Sequence, residues 1–434
     1  MRQETIADSV PSLTKVFEFN VMKKDVLIYF AGKIIPAGVN LLIIILAVRF
    51  LGKAEYGKYS LVFYAAMLIS TLTFGWIQQS IIRFLSAYPG EQVLVINRFY
   101  FLTLMSTVSA GTIGLLLCLF YFGLQWFDTA VIVIYIFMYN LFLFHLTLNQ
   151  TKQKSLHYAM LEGTYNLLFL FLFLLLTWVF NQHLFIVLFI AMLAGLLLTE
   201  FLRITILPEG RVGLDPTRIY FNAGFSKQAF TFGFPITIWL FLSYLLNISD
   251  RFIIKEFTSY ENVGTYSAAK DFIIKIATFT TVPILLAYYP MIVEKWNTDR
   301  KMEALQLIRK GLNYCFLIAL VVMILFLVFQ NLLYTRILHL QLMRQILVSS
   351  SLIGSAFLWQ ISMLLHKPLE LLLKPRLMLI ALIAALTVNA VANIIFVPMW
   401  GYPASAVISL VSVITYIIVI FAFLFRFRNQ GLLK

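Results

Sequence analysis

Charge is scarce in this chain. Asp, Glu, Lys and Arg make up 12% of its 434 residues, whereas soluble domains carry about a quarter. Hydrophobic residues reach 61%, more than a soluble core can bury, which excludes an ordinary water-soluble domain. Cysteine is nearly absent. The two present, Cys118 and Cys315, both fall in apolar stretches, so a disulfide scaffold is excluded and both read as packing residues. The five histidines show no metal-ligand spacing and no Gly-rich phosphate loop occurs, so no metal, nucleotide or other cofactor is expected. Residues 1–24 are polar and lack an apolar stretch with a small-residue cleavage site, so no cleaved signal peptide is expected. Acidic residues number 19 against 33 basic ones, a net charge of +14. A nucleic-acid domain would gather such charge on one soluble face. Here the cations are scattered between hydrophobic runs, and no nucleic-acid partner is expected.

What the chain has in abundance is apolar sequence in lengths of about 20 residues, enough to cross a hydrocarbon core of about 30 Å. Twelve such runs are expected, at 25–50, 59–84, 94–122, 129–149, 158–180, 183–205, 224–249, 263–290, 310–333, 345–366, 375–397 and 401–425. The fold class is therefore all-α and polytopic, with membrane lipid as the surrounding partner. Breaks stand at Asn181-Gln182-His183 and between Pro398 and Pro403. With the N-terminus inside, the cytoplasmic segments hold roughly three times as many Lys and Arg as the outer loops, which puts both termini in the cytoplasm. Arg49, Lys53 and Lys58 in the first outer loop run against this rule. Trp126, Trp296, Tyr288 and Tyr289 near span ends fit an interfacial aromatic belt.

A repeat lies under this pattern. Tyr56-Gly57-Lys58-Tyr59-Ser60 follows the first run, and Val263-Gly264-Thr265-Tyr266-Ser267 follows the seventh. Two halves of six spans each, sharing one orientation, are related about an axis along the membrane normal. The expected organisation is a cytoplasmic segment 1–24, bundles at 25–205 and 224–426 joined by a linker 206–223, and a tail 427–434.

The segment Ala47-Val48-Arg49-Phe50-Leu51-Gly52-Lys53-Ala54-Glu55-Tyr56-Gly57-Lys58-Tyr59-Ser60 resembles the end of the first helix in polysaccharide transporters of the Wzx flippase type. Two further segments are similar to that family: Asp250-Arg251-Phe252 through Val263-Gly264-Thr265-Tyr266-Ser267-Ala268-Ala269-Lys270, and Asn393-Ile394-Ile395-Phe396-Val397-Pro398-Met399-Trp400-Gly401-Tyr402-Pro403-Ala404-Ser405-Ala406. In the third, Pro403 replaces the more usual glycine or small residue. The resemblance implies two six-helix bundles around a V-shaped cavity, as in the superfamily that also holds multidrug exporters and lipid II flippases. It further implies a flippase for a polyprenyl-diphosphate-linked oligosaccharide such as an O-antigen, capsule or exopolysaccharide unit. That flippase would sit in the bacterial inner membrane, beside other polysaccharide assembly proteins. Two alternatives stand. A multidrug exporter would carry mainly cationic compounds, the wrong sign for a cationic interior. A membrane polymerase or ligase would carry a large catalytic outer loop, whereas no outer connection here exceeds roughly 15 residues.

A charge deep in a spanning helix costs about 2.5 to 3.5 kcal/mol, so it faces a cavity or a partner. Lys33, Arg83, Arg251, Lys270 and Lys275 are the candidate cations for the substrate diphosphate. Polar residues at helical spacing accompany them: Lys33, Ala37 and Asn40; Gly75, Gln79 and Arg83; Trp239, Ser243, Asn247 and Asp250 or Arg251. The competing reading is structural. Asp271 precedes Lys275 by one turn, Asp250 adjoins Arg251, and Arg83 can anchor a helix end. Lys270 has no acid at three or four residues on either side, and stands out as unpaired. Asp271 is also the candidate for proton coupling, being the deepest carboxylate, while Glu162 and Glu200 near cytoplasmic ends read as solvated. Pro36, Pro235 and Pro283 inside spans read as shape. A reporter fused after residue 434 should give a cytoplasmic signal; an extracytoplasmic one would overturn the orientation and the even span number.

Overall fold

The computed structural model describes residues 13–180, 184–206 and 222–430, with side chains from Ile34 onward apart from Pro89, Phe180 and Ile206. Within them the chain is helical throughout: α1 (Leu13–Ala87), α2 (Gln92–Leu116), α3 (Trp126–Thr151), α4 (Ser155–Phe180), α5 (Ile186–Ile206), α6 (Ala223–Phe257), α7 (Tyr260–Asn297), α8 (Lys301–Asn331), α9 (Gln345–Leu365), a one-turn α10 (Lys367–Leu371), α11 (Pro375–Trp400) and α12 (Tyr402–Asn429). Eleven of these helices are long and apolar enough to cross a membrane. The difference from twelve expected runs lies in α1, which holds the first two. Its helix breaks at Gly52, where φ is 81°, a backbone state glycine adopts without Cβ strain. Residues 53–87 are called α1b below. Of the expected segments, 1–12, 181–183, 207–221 and 431–434 lie outside the described residues, and so does the side chain of Lys33.

Local chemistry fixes the helix ends that matter. The Asn222 side chain accepts a bond from the backbone N–H of Phe225 at 2.8 Å and opens α6; Ser259 does the same for α7 through Asn262 at 3.3 Å. At the third motif Gly401, with φ of 67°, ends α11. Pro403 then falls in the first turn of α12, where a missing N–H removes no helical bond, so the departure from a small residue costs the junction nothing. Pro36, Pro235 and Pro283 all lie inside continuous helix.

Helices α1 to α5 form one bundle and α6 to α12 the other. They meet chiefly where α1 packs on α6 and α7. Two glycines of the repeat sit at that seam. A Cβ at Gly57 would overlap the carbonyl oxygen of Tyr260, and a Cβ at Gly264 would overlap the carbonyl oxygen of Lys53. Each glycine thus meets the backbone four residues before its counterpart, the reciprocal contact expected of two elements related by a twofold axis. The charged rim of the seam accounts for two cations that run against the topology rule. Lys53 reaches Glu261 across the seam at 3.4 Å, and Lys58 pairs with Glu55 at 2.7 Å. Farther along α1b the bundles touch again: the Ser80 hydroxyl donates to the carbonyl of Ala229 at 2.7 Å, and Gly233 leaves no space for a Cβ against Trp76.

With Cys118 and Cys315 replaced, Lys53→Cys and Glu261→Cys should cross-link in good yield. Adding Gly264→Ala, which places a methyl group against the opposing backbone, should lower that yield sharply. An unchanged yield would mean that the two glycines do not set the approach of the bundles.

Candidate functional site

Helices α6 and α7 are antiparallel neighbours joined by Thr258 and Ser259. That turn places Asp250 and Arg251, near the end of α6, opposite Lys270 and Asp271 in α7. The charges pair across the two helices and not along the chain. Arg251 donates from Nη2 to Asp271 Oδ1 at 2.6 Å and from Nη1 to Oδ2 at 3.2 Å. Lys270 Nζ donates to Asp250 Oδ2 at 2.5 Å. All four side chains are buried, Asp250 at 0% exposure and Arg251 at 1%. In a medium of low dielectric, only such pairing makes four charges tolerable, and the four sum to zero.

Neutral hydroxyls add to both pairs, although Asp250 Oδ1 and Arg251 Nε remain without a hydrogen-bond partner among the described residues. Asp250 Oδ2 also accepts from the Tyr266 hydroxyl at 2.5 Å and from Ser409 of α12 at 3.0 Å. Asp271 accepts from Tyr56 at 3.0 Å and Tyr64 at 2.6 Å, and Arg251 donates to Ser60 at 2.8 Å. Tyr56, Ser60 and Tyr64 recur every four residues and share one face of α1b. The guanidinium of Arg251 also stacks 3.9 Å from the Tyr64 ring centre. Both pairs join α6 to α7 within the second bundle, but Arg251–Asp271 faces the seam and takes hydroxyl contacts from α1b, whereas Lys270–Asp250 takes its neutral contacts from the second bundle itself.

Three pairing expectations need correction. Lys270 is not unpaired: its acid is 20 residues back on the adjoining helix, a contact that spacing along one helix cannot show. Asp271 is paired with Arg251 and not with Lys275, because the guanidinium and two tyrosines take up its oxygens. Glu200 is not solvated either. It is buried, 3.0 Å from His145 Nδ1 and 2.6 Å from Arg203 Nε, because the C-terminal parts of α3 and α5 pack together.

The five candidate cations thus fall into different settings. Arg251 and Lys270 share the cluster with Asp271. Lys275, one turn beyond Asp271, is half-buried and forms no hydrogen bond or ion pair among the described residues. It lies 11 residues from Gly264, about 16 Å farther along α7. Arg83 stands apart, exposed near the end of α1b.

Two cavities flank the cluster. One, of about 200 Å³, opens between the bundles and is lined by Ser70, Thr71, Gln78, Leu240 and Tyr244 among others. The other lies within the second bundle and holds about 30 Å³ beside Lys270, Asn247, Gln360, Asn389 and Ser409, room for one or two water molecules. The expected polar stripe on α6 therefore has two destinations: Ser243 bonds back to its own helix at the Trp239 carbonyl, while Asn247 lines the smaller cavity.

Sequence comparison matches residues 22–296 to the profile of the polysaccharide biosynthesis protein family. The chain belongs to this family. Among curated proteins, none matches the sequence. The fold, however, recurs in solved structures. The lipid II flippase MurJ in an inward closed conformation superposes with a TM-score of 0.70 at 13% identity, over 92% of this chain and 87% of that one. An inward-facing multidrug resistance MATE family transporter of the MOP superfamily gives 0.67 at 14% identity, over 94% and 98%. An outward-facing one gives 0.63 at 13%, over 94% and 96%. This member of the polysaccharide biosynthesis family thus shares the fold of those three structures.

Breaking a buried pair from one side leaves an uncompensated charge, at a cost of about 3–5 kcal/mol. Asp250→Asn and Lys270→Met should each lower the melting temperature of the purified protein, and the double variant should lose less than the two losses added. Additive losses would rule out the pairing across α6 and α7.

Proposed function

We propose that the protein is a flippase that carries a polyprenyl-diphosphate-linked oligosaccharide across the bacterial inner membrane by alternating access, with both termini in the cytoplasm. The observation that carries this reading is Lys275: a half-buried cation well inside an apolar helix, without a hydrogen bond or ion pair among the described residues, in a member of a polysaccharide biosynthesis family. An ammonium in that position is costly unless an anion visits it. A diphosphate is the anionic part of such a substrate, and its oxygens suit charge-assisted hydrogen bonds. The cavity between the bundles adds uncharged hydroxyl and amide groups from Ser70, Thr71, Gln78 and Tyr244, chemistry that suits a glycan.

On this reading the five cations divide. Lys275 meets the diphosphate, with Lys33 and Arg83, on the first bundle, as further candidates along its path. Arg251 and Lys270 are committed to carboxylates and hold α6 against α7, so they set the shape of the cavity wall. Asp271 is held by four donor contacts and is poorly placed to exchange a proton, which argues against its use in coupling. The balance of charge also weighs against export of cationic drugs. Asp250 and Asp271 are both engaged by buried cations, so neither offers a free carboxylate to a cationic drug.

Disrupting the gene, in a strain without a paralogue, should leave the lipid-linked glycan intact but confined to the cytoplasmic face. Normal surface glycan in that strain would remove the proposal. In complementation, Lys275→Gln should reduce export about tenfold or more at equal protein level, the loss expected when one charge-assisted bond to the substrate is removed. Lys275→Arg should retain more function than Lys275→Gln, because the positive charge is kept. Lys33→Gln and Arg83→Gln, measured alongside, show whether either adds to the path. Full export by Lys275→Gln would exclude Lys275 as a substrate contact.

A further inference from the structure

Most cations near the connections on the α7–α8 and α9–α11 side have an acid within reach. Lys295 pairs with Glu303 at 2.6 Å, Lys301 with Asp299 at 3.2 Å, and Lys367 with Glu370 at 2.6 Å. Lys374, Arg376 and Arg426 differ: none of their side chains forms an ion pair or hydrogen bond among the described residues. They converge nonetheless. All three line one groove of about 730 Å³ between the start of α11 and the end of α12, whose floor is formed by Pro375, Leu377 and Phe427. Lys374 is held there by its Nζ lying 3.9 Å from the centre of the Phe427 ring, a contact that fixes the ammonium without neutralising it.

We propose that this groove binds the phosphate headgroup of an anionic phospholipid. Three unneutralised cations around one opening attract an anion, and two guanidinium groups supply the forked donors that suit phosphate oxygens. A lipid is favoured over a free anion by what adjoins the groove. Along α11, Ile380 and Ile383 are exposed at 5 and 8 residues from Pro375, about 8 and 12 Å farther into the span. Along α12, Phe421 and Phe425 are exposed on the membrane side of Arg426. An acyl chain whose phosphate sat among the three cations would run along this apolar surface. Leu373, on the rim, is 87% exposed and holds a left-handed backbone with φ of 56°. A bare leucine in water gains nothing from that conformation, whereas one at a lipid interface buries its side chain. The site is remote from the seam between the bundles and does not rest on the transport reading.

The test uses the full-length protein, stripped of lipid in detergent and then supplied with phosphatidylglycerol, phosphatidylcholine or inorganic phosphate. Native mass spectrometry reads retained lipid, and thermal unfolding reads stabilisation. Phosphatidylglycerol should be retained and should raise the melting temperature of the parent, while phosphatidylcholine and inorganic phosphate should do neither. The triple variant Lys374→Gln, Arg376→Gln, Arg426→Gln should unfold like the parent without lipid, yet bind phosphatidylglycerol about a hundredfold more weakly. A control of equal charge loss, Lys295→Gln, Arg300→Gln, Lys301→Gln, should bind as the parent does. Equal retention of phosphatidylcholine, equal stabilisation by inorganic phosphate, undiminished binding by the triple variant, or an equal loss in the control would each overturn the assignment.

Discussion

Asp271 keeps a negative charge inside the membrane because donors from two bundles converge on it. Arg251 comes from its own bundle, and Tyr56 and Tyr64 come from α1b of the other. The arrangement requires α1b to lie close against α7, which is possible because Gly57 and Gly264 let the two backbones meet with no side chain between them. Packing and electrostatics are thus linked: a larger residue at either glycine would move the tyrosines from the carboxylate, and an unsatisfied carboxylate would resist the close approach. The Arg251 guanidinium, stacked on Tyr64 and bonded to Ser60, extends the same dependence to a third helix.

This linkage explains what could be read from the sequence. Apolar runs of spanning length gave all the spans, because a backbone in lipid must satisfy its own hydrogen bonds and helices do so locally. The Gly-x-Tyr-Ser repeat was visible too, and its glycines prove to be the seam. What the pattern of spacing did not reveal were the partners. Helical periodicity finds neighbours three or four residues away, so it offered Lys275 to Asp271 and left Lys270 alone. The true partners lie 20 residues apart, on helices whose relative height depends on the turn at Thr258 and Ser259. One signal was present: two acid–base neighbours of opposite order, Asp250-Arg251 and Lys270-Asp271, on consecutive helices. Antiparallel packing brings unlike members of such doublets together. The merged first helix was less legible, since Gly52 changes the backbone without interrupting the helical pattern on either side.

The repeat also makes the asymmetry of the molecule measurable. At an offset of 207 residues, Asp250, Arg251, Lys270 and Asp271 correspond to Ile43, Ile44, Phe63 and Tyr64. These four buried charges of the second bundle therefore have no charged counterpart at the matching positions of the first. Of the four counterparts only Tyr64 is polar, and it donates its hydroxyl to Asp271, the residue it matches in the repeat. The first bundle has its own ionic cluster, His145, Glu200 and Arg203, on helices that do not face the seam in the same way. A shared scaffold thus carries two different polar interiors, which allows a substrate-facing wall to be built from one side.

The position of the charges bears on the alternating access proposed for transport. Both ion pairs, Arg251–Asp271 and Lys270–Asp250, join α6 to α7 and so lie wholly within one bundle. If the bundles part at the glycine seam, neither pair has to break. What is lost are the hydroxyl bonds of Tyr56, Tyr64 and Ser60, together with the stacking of Tyr64 on Arg251. Water entering the opened seam can replace hydroxyl donors at an ion pair, so the net cost of each is of the order of 1 kcal/mol, set against several for stripping a buried charge of its partner. Charges confined to one side of a moving boundary can stabilise the closed arrangement through neutral hydroxyls without obstructing its opening.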